Sequence, residues 1–175
     1  MANNQHVLWS LFVRLSHWSV ATVVLINAFN DTGYWHRVLG YIGATLVLLR
    51  IVYGFWFSEI ATSKLTIPTL RSIKLHIQQI CSLTVSPHVG HNPLGQLAVY
   101  MMWLLILLLA ATGWLSRTDA FWGEDWPVDS HALLSDILLG FVALHLFAVI
   151  FISVLQKQNL IKAMITGKRN SANIH

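Results

Sequence analysis

Four runs of this chain are apolar for long enough to cross a bilayer, and that removes most folds from consideration. They are roughly Leu11 to Phe29, Arg37 to Phe57, Leu94 to Leu115 and Ala132 to Leu155. A span needs about 20 mostly apolar residues to cross about 30 Å of hydrocarbon. The runs are continuous rather than alternating, which argues against a β-barrel. Composition agrees: 55% of the 175 residues are hydrophobic and 10% are charged, where a soluble domain carries about a quarter charged. The expectation is an all-α membrane protein, a four-transmembrane-helix bundle. Its helices are expected at about 8–30, 36–57, 93–116 and 130–157, within one domain over 1–175.

The connections carry their own signals. Asn30-Asp31-Thr32-Gly33 is a turn-forming cluster, so the first two helices are expected as antiparallel neighbours. The first helix should begin with an interfacial turn bearing Trp9 and Arg14. Between the second and third spans, Leu70, Ile73, Ile77 and Ile80 recur at helical spacing opposite Arg71, Lys74 and Gln78. That pattern predicts an amphipathic interfacial helix, with Pro68 near its start. Asn92 and Pro93 suit the N-cap and first position of the third helix. Asp129 or Ser130 is the expected cap of the fourth. The first run lacks a basic start and a small-residue cleavage site, and reads as a retained helix rather than a signal peptide.

Charge sets the expected orientation. With both termini cytoplasmic, the inner side receives Arg14, Arg50, Lys64, Arg71, Lys74, Lys157, Lys162, Lys168 and Arg169, and the outer side only Arg37 and Arg117. The acids divide the other way. Asp31, Asp119, Glu124, Asp125, Asp129 and Asp136 fall outside, and Glu59 inside. Anionic lipid accounts for the basic side without a nucleic-acid partner. The acidic side could receive a basic soluble protein.

Four histidines carry the chemistry. His17 lies in the first run, His36 opens the second, and His131 and His145 lie on the fourth. Fourteen residues separate His131 from His145, about 21 Å along a helix axis. At 3.5 residues per turn that interval is about four whole turns, so both rings face one seam. His36 and His131 both start their helices at the outer boundary and can pair there. His17 lies fourteen residues before Asp31, which puts it at the depth of His145. Haem iron in an electron carrier takes two strong axial ligands, and imidazole suits it. Two depth-matched pairs point to two stacked haems.

Arg50 sits inside an apolar run, fourteen residues after His36 and level with the inner pair. A haem propionate would be a natural anion for it. Arg14 is a second candidate for the inner propionates and Arg37 for the outer ones; both read equally well as snorkelling interfacial residues. Gly40, Gly43 and Gly140 are small enough for a flat ring to approach the backbone, or for helices to pack. His88, His91 and Cys81 hint faintly at zinc, at an unusual spacing. The single cysteine forbids an internal disulfide, and no Cys-x-x-Cys-His is present for covalent haem. No Gly-x-Ser-x-Gly or phosphate-loop pattern supports hydrolase or nucleotide chemistry.

These pieces resemble the bacterial cytochrome b561 family, which includes the cytochrome b subunits of nickel-iron hydrogenases. The matching residues are Arg14-Leu15-Ser16-His17-Trp18, His36-Arg37-Val38-Leu39-Gly40-Tyr41, Arg50, Gly90-His91-Asn92-Pro93-Leu94-Gly95, His131, His145 and the tail Asn159-Leu160-Ile161-Lys162-Ala163-Met164. The likeness runs from about residue 8 to 169. It implies two haem b groups on His17, His36, His131 and His145. It also implies an inner-membrane location and electron transfer between a periplasmic partner, a c-type cytochrome or a hydrogenase-like protein, and quinone. A homodimer is a further candidate assembly. The alternatives are a stand-alone quinone-linked superoxide oxidase, as in a related branch of the family, and a haem-free membrane anchor.

Overall fold

The computed structural model describes residues 5–7, 9–57, 65–82 and 93–170. Four helices in it are long and apolar enough to cross a membrane: α1 (Leu11–Ala28), α2 (Tyr34–Val52), α4 (Pro93–Leu115) and α5 (Trp126–Leu155). Two shorter helices, α3 (Leu70–Cys81) and α6 (Leu160–Thr166), accompany them. The all-α membrane bundle expected from the sequence is the fold observed.

Local chemistry explains most boundaries. Ser10 caps α1, its hydroxyl accepting from the Val13 N–H at 3.3 Å. The turn into α2 needs Gly33, whose φ of 98° and ψ of −170° no side chain tolerates well. α2 ends in a π-turn, Tyr53–Phe57. There the Gly54 carbonyl accepts from the Leu65 N–H at 3.1 Å, which draws the chain after α2 back against it.

Three expected starts move. The first helix begins at Leu11, leaving Trp9 outside it. α3 is capped by Thr69 rather than opened by Pro68: the Ser72 N–H donates to the Thr69 hydroxyl at 3.2 Å. α5 begins at Trp126, with the fully buried Pro127 in its first turn and Asp125 at the N-cap position. Neither Asp129 nor Ser130 caps it. Asp129 lies in the first turn instead, where a carboxylate suits the positive end of the helix dipole. Asn92 lies outside the described residues, although Pro93 does open α4.

α4 packs closely along α5, α1 along α2, and α2 along α4. The interior is built on Val47, Leu105, Ile106 and Leu138, with Val20, Val24, Met102, Trp103 and Leu134 around them. Many other apolar side chains, such as Leu25, Leu48, Leu133 and Phe147, face outward as lipid contact would require.

A short antiparallel pair, β1 (Gln5–Val7) and β2 (Lys168–Asn170), joins the two ends of the chain, with His6 opposite Arg169. Strands of three residues leave no readable pattern, and no residue type in them announces the pairing. The pairing belongs to a wider clasp. The Arg14 guanidinium donates to the Ile165 carbonyl, and the Trp9 N–H reaches the Gly167 carbonyl at 3.5 Å. Gly167 takes the left-handed conformation that ends α6, at φ 74°. This clasp and the α1–α2 turn mark opposite ends of the bundle, here called the basic end and the acidic end.

Candidate haem-binding site

All four spanning helices meet at His36 and His131. His36 sits in the first turn of α2 and is held from α1 and the turn that follows it. The Asn27 amide donates to the His36 backbone carbonyl at 3.0 Å, and the His36 Nδ1 lies 2.6 Å from the Asn30 carbonyl. A carbonyl can only accept, so His36 carries its proton on Nδ1 and its Nε2 keeps a lone pair. His131, on α5, places Nδ1 3.1 Å from the Thr112 hydroxyl of α4. That hydroxyl also lies 2.9 Å from the Leu108 carbonyl, to which it donates its one proton. It therefore accepts from His131 Nδ1–H, and the lone pair of His131 is also on Nε2. Gly113 makes room for this ring: a Cβ there would stand 3.2 Å from His131 Cε1.

The two imidazoles have centroids 5.9 Å apart and planes inclined at 67°. A metal–imidazole bond is about 2 Å. Two such bonds on opposite sides of one metal, plus the two ring radii, need centroids roughly 6 Å apart. The pair has the spacing of two axial ligands.

Deeper in the bundle lie His17 on α1 and His145 on α5, the residues expected to make the second pair. His17 is half-buried on the α1 face that carries the buried Val13 and Ser16, edge-on to Trp18 at 5.1 Å. Its Nδ1 is buried with no hydrogen-bond partner. His145 is half-buried on α5 and close enough to His17 for their charges to interact. Leu138 lies seven residues from both His131 and His145 and is buried between the two levels.

The arginines divide. Arg50 is 5% exposed, on the same stripe of α2 as Gly43 and Val47. Its guanidinium carbon stands 5.9 Å from the Tyr53 ring and 5.7 Å from the Trp103 ring, a cation held between aromatic faces. Arg37 is half-buried beside His36. Arg14 is drawn into the clasp by Ile165, although its Nε remains buried without a hydrogen-bond partner. Of the glycines, Gly43 packs α1 on α2, a Cβ there lying 3.0 Å from Val23. Gly140 is nine residues from His131 and five from His145, which at about 100° per residue turns it away from both. His88 and His91 lie outside the described residues, as does the side chain of Cys81.

Among the described residues no group of three or more His, Cys, Asp or Glu converges as a bare metal site. Histidines in twos suit a haem, which brings four nitrogens of its own and asks the protein for two axial donors. The fixed tautomers at the acidic end and the orphaned His17 Nδ1 fit that donor set. Residues 8–167 match the profile of the prokaryotic cytochrome b561 family. The chain belongs to that family. It is therefore a membrane cytochrome of b type, in a class that transfers electrons. The iron such a haem supplies cycles between ferric and ferrous states, and this chain's part is to hold it and tune it.

Three curated relatives are each named a probable Ni/Fe-hydrogenase B-type cytochrome subunit. The protein of Rhizobium leguminosarum bv. viciae is 23% identical over 159 residues, covering 77% of this chain and 66% of its own length. That of Azotobacter vinelandii is 21% identical over 176 residues, covering 90% and 68%. That of Bradyrhizobium diazoefficiens is 25% identical over 159 residues, covering 77% and 64%. The chain thus spans about two thirds of the length of the curated relatives it matches. No solved structure matches it.

Asn27, Asn30, Thr112 and Gly113 went unnoticed in the sequence as supports of the site. Asn30 acts through its backbone, which no residue type announces. Thr112-Gly113 reads simply as a helix end.

Proposed function

We propose that this cytochrome holds two b-type haems, one near each face of the membrane. His36 and His131 would ligate the haem at the acidic end, and His17 and His145 the haem at the basic end. Arg50 and Arg37 would offer cations to propionates at the two levels, with Arg14 contributing through the part of its guanidinium outside the clasp. The observation that carries this reading is the His36–His131 pair, at 5.9 Å between centroids and with both Nδ1 positions engaged. The second pair at matched depth extends it to two haems.

In this reading the acidic end faces the periplasm and both termini lie in the cytoplasm of a bacterium, the orientation that keeps the basic residues inside. One electron at a time passes between a soluble donor at the acidic end and quinone in the bilayer. Two such electrons and two protons from the aqueous phase convert one quinone to quinol. Asp31, Asp119, Glu124, Asp125 and Asp129 are all exposed at the acidic end, as is Trp122. They suit a cationic electron-transfer protein, either a c-type cytochrome or a hydrogenase-like subunit. The names of the relatives favour the hydrogenase-like class.

The docking half of this reading is tested by charge reversal. Protein carrying Glu124→Lys and Asp125→Lys in proteoliposomes should exchange electrons with a basic c-type cytochrome several-fold more slowly at low salt. The difference should shrink as salt is raised, because screening acts on the encounter. Equal rates at low salt would remove this surface from the account.

A further inference from the structure

Where α5 gives way to α6 the surface carries an open groove of about 340 Å³. Part of its lining is apolar: Ile150 and Val154, four residues apart on α5, and Ile161 of α6, all exposed. The rest is polar and includes Lys157 and Gln158. Lys157 lies twenty residues after Ile137, about 30 Å along a helix axis, which is roughly the thickness of the hydrocarbon. The apolar part of the groove therefore lies among acyl chains, and the polar part at the level of the headgroups.

Two features of the polar part call for a ligand. The amide nitrogen and oxygen of the Gln158 side chain are both buried without a hydrogen-bond partner, a state that costs free energy until a partner arrives. Lys157 has a φ of 51°, a left-handed conformation in which glycine or asparagine is the usual residue. A lysine there brings a charge to the groove at the expense of backbone strain. The N–H groups that open α6 are already satisfied. The Ser153 hydroxyl accepts from Leu160 at 3.2 Å, and the Asn159 side-chain oxygen from Lys162 at 2.7 Å. What the groove offers an anion is thus the Lys157 ammonium and the Gln158 amide. The surroundings agree in sign. Lys162 and Lys168 are exposed at this end, and among the described residues every carboxylate belongs to the acidic end or to the first half of α5.

We propose that this groove binds an anionic phospholipid, its phosphate held by Lys157 and Gln158 and an acyl chain lying along Ile150 and Val154. The apolar walls beside the cation favour a lipid over a free phosphate ion, which gains nothing from them. A defined site of this kind differs from the diffuse attraction of any basic surface for anionic lipid, and it does not depend on how many haems the chain holds. α6 leads through Gly167 into the clasp around Arg14. A lipid seated at the α5–α6 joint therefore also braces the tie between α1 and the tail.

Native mass spectrometry of the purified haem-loaded protein tests the proposal, with phosphatidylglycerol and phosphatidylcholine of the same acyl chains offered in equal amounts. The wild type should retain phosphatidylglycerol several-fold more than phosphatidylcholine. Lys157→Asn removes the charge and keeps a residue suited to the left-handed backbone, and it should lose that preference. Lys157→Arg should keep it. Gln158→Leu should weaken retention without lowering the lipid-free melting temperature, since the amide it removes bonds to nothing. Lys74→Gln neutralises an exposed lysine of α3 outside the groove, and should change neither retention nor melting. The proposal is overturned if the wild type shows no preference, if Lys157→Asn retains it, or if Lys74→Gln loses it as fully as Lys157→Asn. Inorganic phosphate that raised the melting temperature as much as phosphatidylglycerol does would also overturn it, because an ion needs no apolar wall.

Discussion

At Gly113 the missing side chain lets α4 lie directly against the His131 ring. A Cβ there would stand 3.2 Å from Cε1 and 3.4 Å from Nδ1. The ring cannot retreat without loosening its contact with Thr112, so the cost is that of overpacking, about 1–3 kcal/mol. Gly113→Ala should therefore lower the melting temperature and weaken haem retention at the acidic end. Gly140→Ala, whose Cβ meets nothing within 4 Å, should do neither. A melt followed both by tryptophan fluorescence and by haem absorbance separates the two variants. At this scale the meeting of His36 with His131 was legible, because both open their helices at the same boundary. What holds them was not legible. Asn30 serves through a carbonyl that every residue possesses, and Thr112 through a neighbour nineteen residues away.

Among the elements, the spanning helices could be read from hydropathy, while their joints could not. α5 begins at Trp126, before the apolar run that identified it, because Pro127 is itself buried and the polar residues after it still complete helical turns. α6 has only seven residues and depends on its surroundings: Ser153 accepts from the Leu160 N–H and Asn159 caps the Lys162 N–H. Such short helices gain little from their own hydrogen bonds. The π-turn after α2 is another joint that tertiary contact decides. A Cβ on Gly54 would run into Leu65 Cγ and Arg50 Nη1. Leu65 is buried, and Gly54 bonds to its backbone. The next residue, Thr66, is tied to Gln96 and Tyr100 of α4, whose hydroxyl donates to the Thr66 carbonyl at 2.7 Å. Gly54→Ala should thus cost about 1–3 kcal/mol and free this segment. Faster limited proteolysis near residue 65, together with a lower melting temperature, is the expected result; an unchanged digestion pattern would contradict it.

Over the whole molecule, helix length places the site relative to the bilayer. α5 has 30 residues, about 45 Å, which is roughly half as long again as the hydrocarbon it crosses. α1, with 18 residues, is about 27 Å long. The apolar run of α5 from Ile137 to Leu155 is enough to span, so its first turns, with His131 and Asp129, stand toward the acidic end. That arrangement brings one histidine pair close to water and the acidic surface and keeps the other deep. At the opposite end the Arg14 clasp ties α1 to the chain after α5. The central claim is that two histidine pairs hold two haems, and counting haem per chain tests it most directly. Pyridine-haemochrome quantitation, with a reduced-minus-oxidised spectrum, should give two b-type haems per chain in the wild type. It should give one in His36→Ala and a different one in His17→Ala, distinguishable by their remaining bands. A wild type with one haem or none, or two variants that lose the same band, would contradict the account.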